Sequence, residues 1–188
     1  MVKVDKVEWL YIPDAATAAA ALNSGEVDWW QQLPPDLIPV LAKNKDVKVE
    51  SVDPLGSIGL LRFNHLQVPF NNVKLRQAVL AVIDQQDYAL AIAGDPKNGK
   101  PCASFFTCGT PLANTAGSEA LTGKRDVEKA KALVKESGYK GEKIILMTAT
   151  DQPIVHSQAL VTQETLRKIG LNVELAASDW GTLITRRS

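Results

Sequence analysis

Residues 137–150, SGYKGEKIILMTAT, and residues 168–178, KIGLNVELAAS, have the same organisation. In each, a glycine closes a helical stretch and the chain runs directly into an apolar, β-prone segment. Between the two segments, PIVHSQALVTQETLRKIG (153–170) carries helical spacing, and before the first lies RDVEKAKALVKESG (125–138), whose Lys and Glu residues form a solvated helix face. Strand, helix and strand in that order predict parallel neighbours joined by a crossover helix. The fold class that follows is α/β, a mixed, mostly parallel sheet flanked by helices.

The same alternation extends toward the N-terminus. KVEWLYI (6–12) reads as a strand, DAATAAAALNSG (14–25) as a helix capped by Asp14 and stopped by Gly25, and EVDWW (26–30) as the next strand. PPDLIPVLAKN (34–44) starts a helix that Pro39 keeps short or kinked. VKVESVD (47–53) and SIGLLRFN (57–64) read as strands parted by a PLG turn. NNVKLRQAVLAVIDQQDYALAIAG (71–94) is the longest helical stretch, with Asn71 or Asn72 as cap, Leu75, Val79, Val82 and Ile83 at helical spacing, and Gly94 as its end. Residues 95–123 show no clear period and read as a long inserted loop, a kind of segment that is often functional. Residues 1–188 are read as a single α/β lobe carrying that insertion, with a last helix beginning at WGTLITRR (180–187).

Composition narrows the function. The chain has 188 residues, 21 basic and 21 acidic side chains and no net charge, with 45% apolar residues. That balance argues against an electrostatic grip on nucleic acid, and no apolar run approaches the roughly 20 residues of a membrane span. The start, MVKVDKVEW, has no apolar export segment, and both ends look cut, so the expectation is a domain excised from a longer protein. His65 and His156 lie far apart with no partners at metal spacing, and the phosphate-binding and nucleophile-elbow motifs are missing. Glu26 and Asp28 share a strand face without an acid–base partner. The expectation is a binding protein, not an enzyme, with no cofactor and no metal. Cys102 and Cys108, with five residues between them in PCASFFTCG, fit a small disulfide-closed loop, two buried thiols being the alternative.

In open α/β sheets, ligands bind beyond the carboxyl ends of the strands. The residues found there are Trp29, Trp30, Gln31 and Gln32, then Asn64, then Thr150, Asp151 and Gln152, then Ser178, Asp179 and Trp180. Uncharged hydrogen-bonders and aromatic surface suit a polar, peptide-like ligand. Adjacent tryptophans point to opposite faces of a strand, so Trp29 and Trp30 cannot both fill the same layer of core. Asn64 and Asp179 also fit turn or cap roles, and Asp179, just before a helix, is read as its N-cap.

Four segments in order, AAALNSGEVDWW (19–30), GLLRFNHLQVPFNNVKLRQAVLAVIDQQD (59–87), AKALVKESGYKGEKIILMTA (130–149) and QALVTQETLRKIGLNVEL (158–175), resemble the family 5 extracellular solute-binding proteins of bacterial ABC importers. The resemblance covers nearly the whole chain. It implies two α/β lobes closing on a peptide or other small polar solute, of which this chain is the larger part of the C-terminal lobe. Implied partners are that ligand, the ABC permease subunits and the missing N-terminal lobe of the same chain, in a periplasmic or extracytoplasmic setting. A ligand-sensing or chaperone-like module on the same fold is the alternative. The ligand-binding candidates are Trp30, Gln31, Gln32, Asn64, Thr150 and Asp151. Arg76 and Asp84, eight residues apart in the motif helix, are expected to share a helical face in a structural role. The loop holding Cys102 and Cys108 departs from the family and is expected to stiffen a rim of the site. Alone, such a lobe is expected to bind ligand weakly.

Overall fold

The computed structural model describes residues 3–56, 58–94, 99–122 and 124–187, so residues 95–98 and 123 of the proposed insertion lie outside the described residues. By contacts the chain divides into two compact units, Met1–Ser51 and Val52–Ser188.

The first unit is built around helix α1, Ala15–Ser24. Asp14 caps it as the sequence predicts, its carboxylate accepting the Thr17 N–H at 2.8 Å. Gly25 closes it at φ 74°, a left-handed conformation that glycine takes without steric cost. The helix buries only alanines, Ala18, Ala19 and Ala21. A 3-10 turn, Pro35–Leu37, leads into helix α2, Ile38–Leu41; Pro39, in the first turn of α2, lacks the N–H that would bond back to Pro35, so the two do not run as one helix. Leu41 is fully buried.

The second unit holds the only sheet among the described residues. Strand β1, Ile144–Ala149, pairs in parallel with β2, Val173–Ser178, in the register Ile144↔Val173 through Ala149↔Ser178. Helix α7, Pro153–Lys168, makes the crossover. Its last residues, together with α3 (Val73–Val82) and α6 (Val127–Glu136), enclose the core: Leu75, Ala78, Val79, Val82, Ala130, Val134, Ile144, Leu166, Ile169, Leu171 and Val173. Leu61, Phe63 and Phe70 pack on this cluster, with the Phe63 and Phe70 ring centroids 4.5 Å apart.

The stretch 71–94 is two helices rather than one. Helix α3 ends at Val82, and Ile83 and Asp84 take extended backbone (ψ 135° and 117°). Helix α4, Gln85–Ala93, then starts with Asp84 as its N-cap, accepting the Gln86 N–H at 2.9 Å. An aspartate that can bond the backbone locally competes with continued helix, and the apolar period alone does not show this. Arg76 and Asp84 therefore do not share a helical face. A short helix α5, Glu119–Thr122, lies within the stretch read as loop, and α8, Trp180–Arg187, ends the described chain.

The segments 6–12, 26–30, 47–53 and 57–64, read as strands, form no strand among the described residues. Alternation reports which side chains face inward; a strand also requires a neighbour to complete its hydrogen bonds. The alternation itself is real in one of them, where Leu61 and Phe63 pack on the core while Leu60 and Arg62 are exposed.

Candidate functional site

The carboxyl ends of β1 and β2 are fastened to each other. Beyond the ladder, the Thr150 N–H donates to the Ser178 carbonyl at 2.9 Å, and Thr150 Oγ1 donates to the same oxygen at 3.3 Å. Asp151 Oδ1 accepts the Trp180 N–H at 2.9 Å, so it caps α8 from the neighbouring strand's loop. Asp179 caps the same helix, accepting the Thr182 hydroxyl at 2.6 Å and the Thr182 N–H at 2.9 Å. Those bonds, the hydroxyl first, hold the Asp179 carboxyl below the ordinary aspartate range. Thr148, buried one residue before the end of β1, places its hydroxyl 3.4 Å from His156 Nδ1 on α7.

Two candidates, Thr150 and Asp151, are thus brought together, and both are exposed. Asn64 lies earlier in the same unit, where its side chain accepts the Leu66 N–H at 3.0 Å and its carbonyl accepts the Gln67 N–H at 3.3 Å, a turn-forming arrangement.

The other three candidates are consecutive in the first unit. Trp29 and Trp30, with Leu10, Ile12, Ala18 and Val27, line a small open hollow of about 80 Å³. Trp29 is 61% exposed and Trp30 half-buried, so Trp29 carries the more open face of the pair. Gln31 and Gln32 follow, and Gln32 sits at φ 60°, the one non-glycine residue with positive φ among those described. A β-unbranched side chain tolerates that conformation at a modest cost, and such positions cluster at binding sites.

Arg76 and Asp84 both have structural partners. Arg76 Nη1 donates to the Phe70 carbonyl at 2.7 Å, tying the turn before α3 to its first half. Asp84, besides capping α4, lies 3.3 Å from Arg125 Nη2, which also pairs with Asp87. A disulfide joins Cys102 and Cys108, whose Cα atoms are 5.8 Å apart. Among the described residues no group of three or more His, Cys, Asp or Glu side chains is placed to hold a metal ion, and no helix is long and apolar enough to cross a membrane.

Residues 1–188 match the family model described as bacterial extracellular solute-binding proteins, family 5 Middle. This chain belongs to that family. The family consists of solute-binding proteins. Within it, a probable peptide ABC transporter periplasmic-binding protein from Sinorhizobium fredii is 41% identical over 100% of this chain and 36% of its own length. The dipeptide-binding protein DppE of Bacillus subtilis is 28% identical over 97% of this chain and 34% of its own. Among solved structures, the periplasmic binding protein AgaA of A. tumefaciens, in complex with agropinic acid, superposes with a TM-score of 0.73 at 26% identity, over 93% of this chain and 35% of that one. The chain spans about a third of the length of the relatives it matches.

One residue of this family member escaped the sequence reading. Gln85 holds both backbone polar groups of Cys102: the Cys102 N–H donates to Gln85 Oε1 at 2.7 Å, and Gln85 Nε2 donates to the Cys102 carbonyl at 3.0 Å. Glutamine in a helical period gives no signal of a partner 17 residues away, so only the cysteine spacing pointed to this region.

Proposed function

We propose that this chain is part of the substrate-binding component of an ABC importer, which captures peptides or similar small polar solutes outside the cytoplasmic membrane and delivers them to permease subunits. The observation that carries the reading is the family match over residues 1–188, with a probable peptide transporter's binding protein as a 41% identical relative. The residue chemistry agrees with it. In the second unit Asn64, Thr150 and Asp151 offer an amide, a hydroxyl and a carboxylate; in the first, Trp30, Gln31 and Gln32 form a set of one aromatic face and two amides, suited to an uncharged or zwitterionic amide-bearing ligand. Trp29, the more exposed of the tryptophan pair, joins that set. Arg76 and Asp84 hold the scaffold. No covalent step is required: ligand contacts favour a closed state of the full-length protein, and that state docks on the permease.

Native mass spectrometry of the protein purified from its host tests this. A retained peptide or small polar solute is expected, released by mild unfolding. A second measurement is intrinsic tryptophan fluorescence during titration with that solute, with Trp29→Phe and Trp30→Phe compared. Reproducible purification with no retained solute, and no change in fluorescence or affinity in either variant, would sink the reading.

A further inference from the structure

The loop after α4 is fastened without help from the core. None of its residues between Gly99 and Ser118 belongs to the hydrophobic cluster. Its first anchor is the two-way amide clasp of Gln85 on Cys102, at the first turn of α4. Its second is Ser104, buried, whose Oγ accepts the Phe106 N–H at 3.2 Å and the Asn114 N–H at 3.1 Å. Its third is the Cys102–Cys108 bridge, which closes a ring across a sequence separation of 6. At the tip of that ring Phe105 and Phe106 meet edge to face, centroids 5.4 Å apart, with Phe105 81% exposed. Two aromatic rings held in water by short-range anchors mark a tip whose conformation depends on those anchors rather than on burial.

We propose that the Cys102–Cys108 bridge is a redox-dependent latch on this loop. Closed, it fixes residues 103–108 and the Phe105–Phe106 pair in one geometry. Opened, it frees the tip, while Gln85 keeps residue 102 on α4 and the folded core is untouched. The opening reaction needs a dithiol. Its thiolate attacks the Cys108 sulfur, since Cys108 is exposed and Cys102 half-buried. The S–S bond breaks, a mixed disulfide forms on Cys108, and the Cys102 thiolate leaves and takes a proton. The second thiol of the reagent then displaces Cys108, which is protonated in turn. Two electrons and two protons pass to the protein, and the dithiol ends as its own disulfide. The latch therefore stays closed in an oxidising compartment and opens in a reducing one.

Amide-resolved hydrogen exchange by NMR on the 188-residue chain tests the latch, comparing oxidised protein, protein in excess dithiothreitol, the paired substitution Cys102→Ser with Cys108→Ser, and Gln85→Ala. Opening, by reagent or by the paired substitution, is expected to speed exchange of the Phe106 and Asn114 amides about tenfold or more. The residue 102 amide and the amides of α3, α6, α7 and β1 are expected to stay within about twofold. In oxidised Gln85→Ala the Cys102 amide alone loses its protection. Unchanged Phe106 and Asn114 exchange on reduction would overturn the proposal, because the bridge would then hold nothing. Core amides accelerating in step with the loop would overturn it equally, because the bridge would then serve the fold and not a latch.

Discussion

Two stretches of this molecule carry the same written pattern and reach different ends. Residues 6–30 and residues 144–178 both read strand, helix, strand. In the second, β1 and β2 pair over six residues and α7 covers them. In the first, α1 forms with correct caps, but neither flanking segment becomes a strand. Side-chain size separates the two. Helix α1 faces inward with alanines alone, whereas the 16-residue α7 delivers Leu166 and the following Ile169 and Leu171 to a core already supplied by α3 and α6. Burial scales with apolar area, at about 25 cal/mol per Å², and alanine brings little. Trp9 and Tyr11 remain exposed beside α1, large apolar groups with no cover in their own unit. A pattern sets which face is apolar; the area behind that face decides whether backbone pairing follows.

The sharpest way to break this comparison is to empty the core of the paired stretch. Leu166→Ala is expected to cost about 2–5 kcal/mol in denaturant unfolding, through lost transfer energy and the cavity left behind. Trp9→Ala in the unpaired stretch is expected to change the same measurement by less than about 0.5 kcal/mol. Equal effects would show that the two stretches depend on burial alike. Next in size, Asp84→Ala removes the cap of α4 and a partner of Arg125, with an expected loss of about 1 kcal/mol confined to α4 amide protection. The bridge is expected to matter far less to the fold: opening it frees the loop in the folded state as in the unfolded one, so the chain-entropy contribution largely cancels, and removing both cysteines is expected to lower stability by under about 0.5 kcal/mol. Thermal unfolding followed by circular dichroism reads this, and a loss several times larger would mean that the loop supports the core.

The smallest effect links the first stretch to the helix that follows the second. Asp14 begins α1 and Asp179 begins α8 with the same threonine arrangement, and both carboxyls are held below the ordinary aspartate range, chiefly by the Thr17 and Thr182 hydroxyls. A depressed native value means that the charged form is favoured by folding. The contribution is complete above the unfolded value of about 3.9 and disappears as pH falls through the native one. The Thr17 and Thr182 amide resonances should therefore titrate with midpoints under about 3.9, and a midpoint at or above it for either would contradict the caps.

Much of this was legible from single residues. Asp14, Asn72 and Asp179 mark helix starts through side-chain bonds to the backbone two or three residues on, Gly25 marks a helix end through its left-handed conformation, and each does so in the structure. The break at Asp84 was hidden because Leu75, Val79, Val82 and Ile83 keep helical spacing up to it. The unpaired segments were misread because pairing depends on residues elsewhere. For the candidate site, the residues after β1 and β2 could be found from strand order alone. Their existing partners could not: that Asp151 caps α8 depends on a contact 29 residues away.

That last bond constrains length as well as composition. Between the end of β1 and the start of α7 lie Thr150, Asp151 and Gln152, with Pro153 as the first helical residue. A surface turn of this kind ordinarily accepts extra residues at little cost. Here one inserted residue would carry the carboxylate out of reach of the Trp180 N–H and leave α8 to start on Asp179 alone. Deletion and insertion scanning should accordingly find this three-residue junction far less forgiving than the surface loops around it.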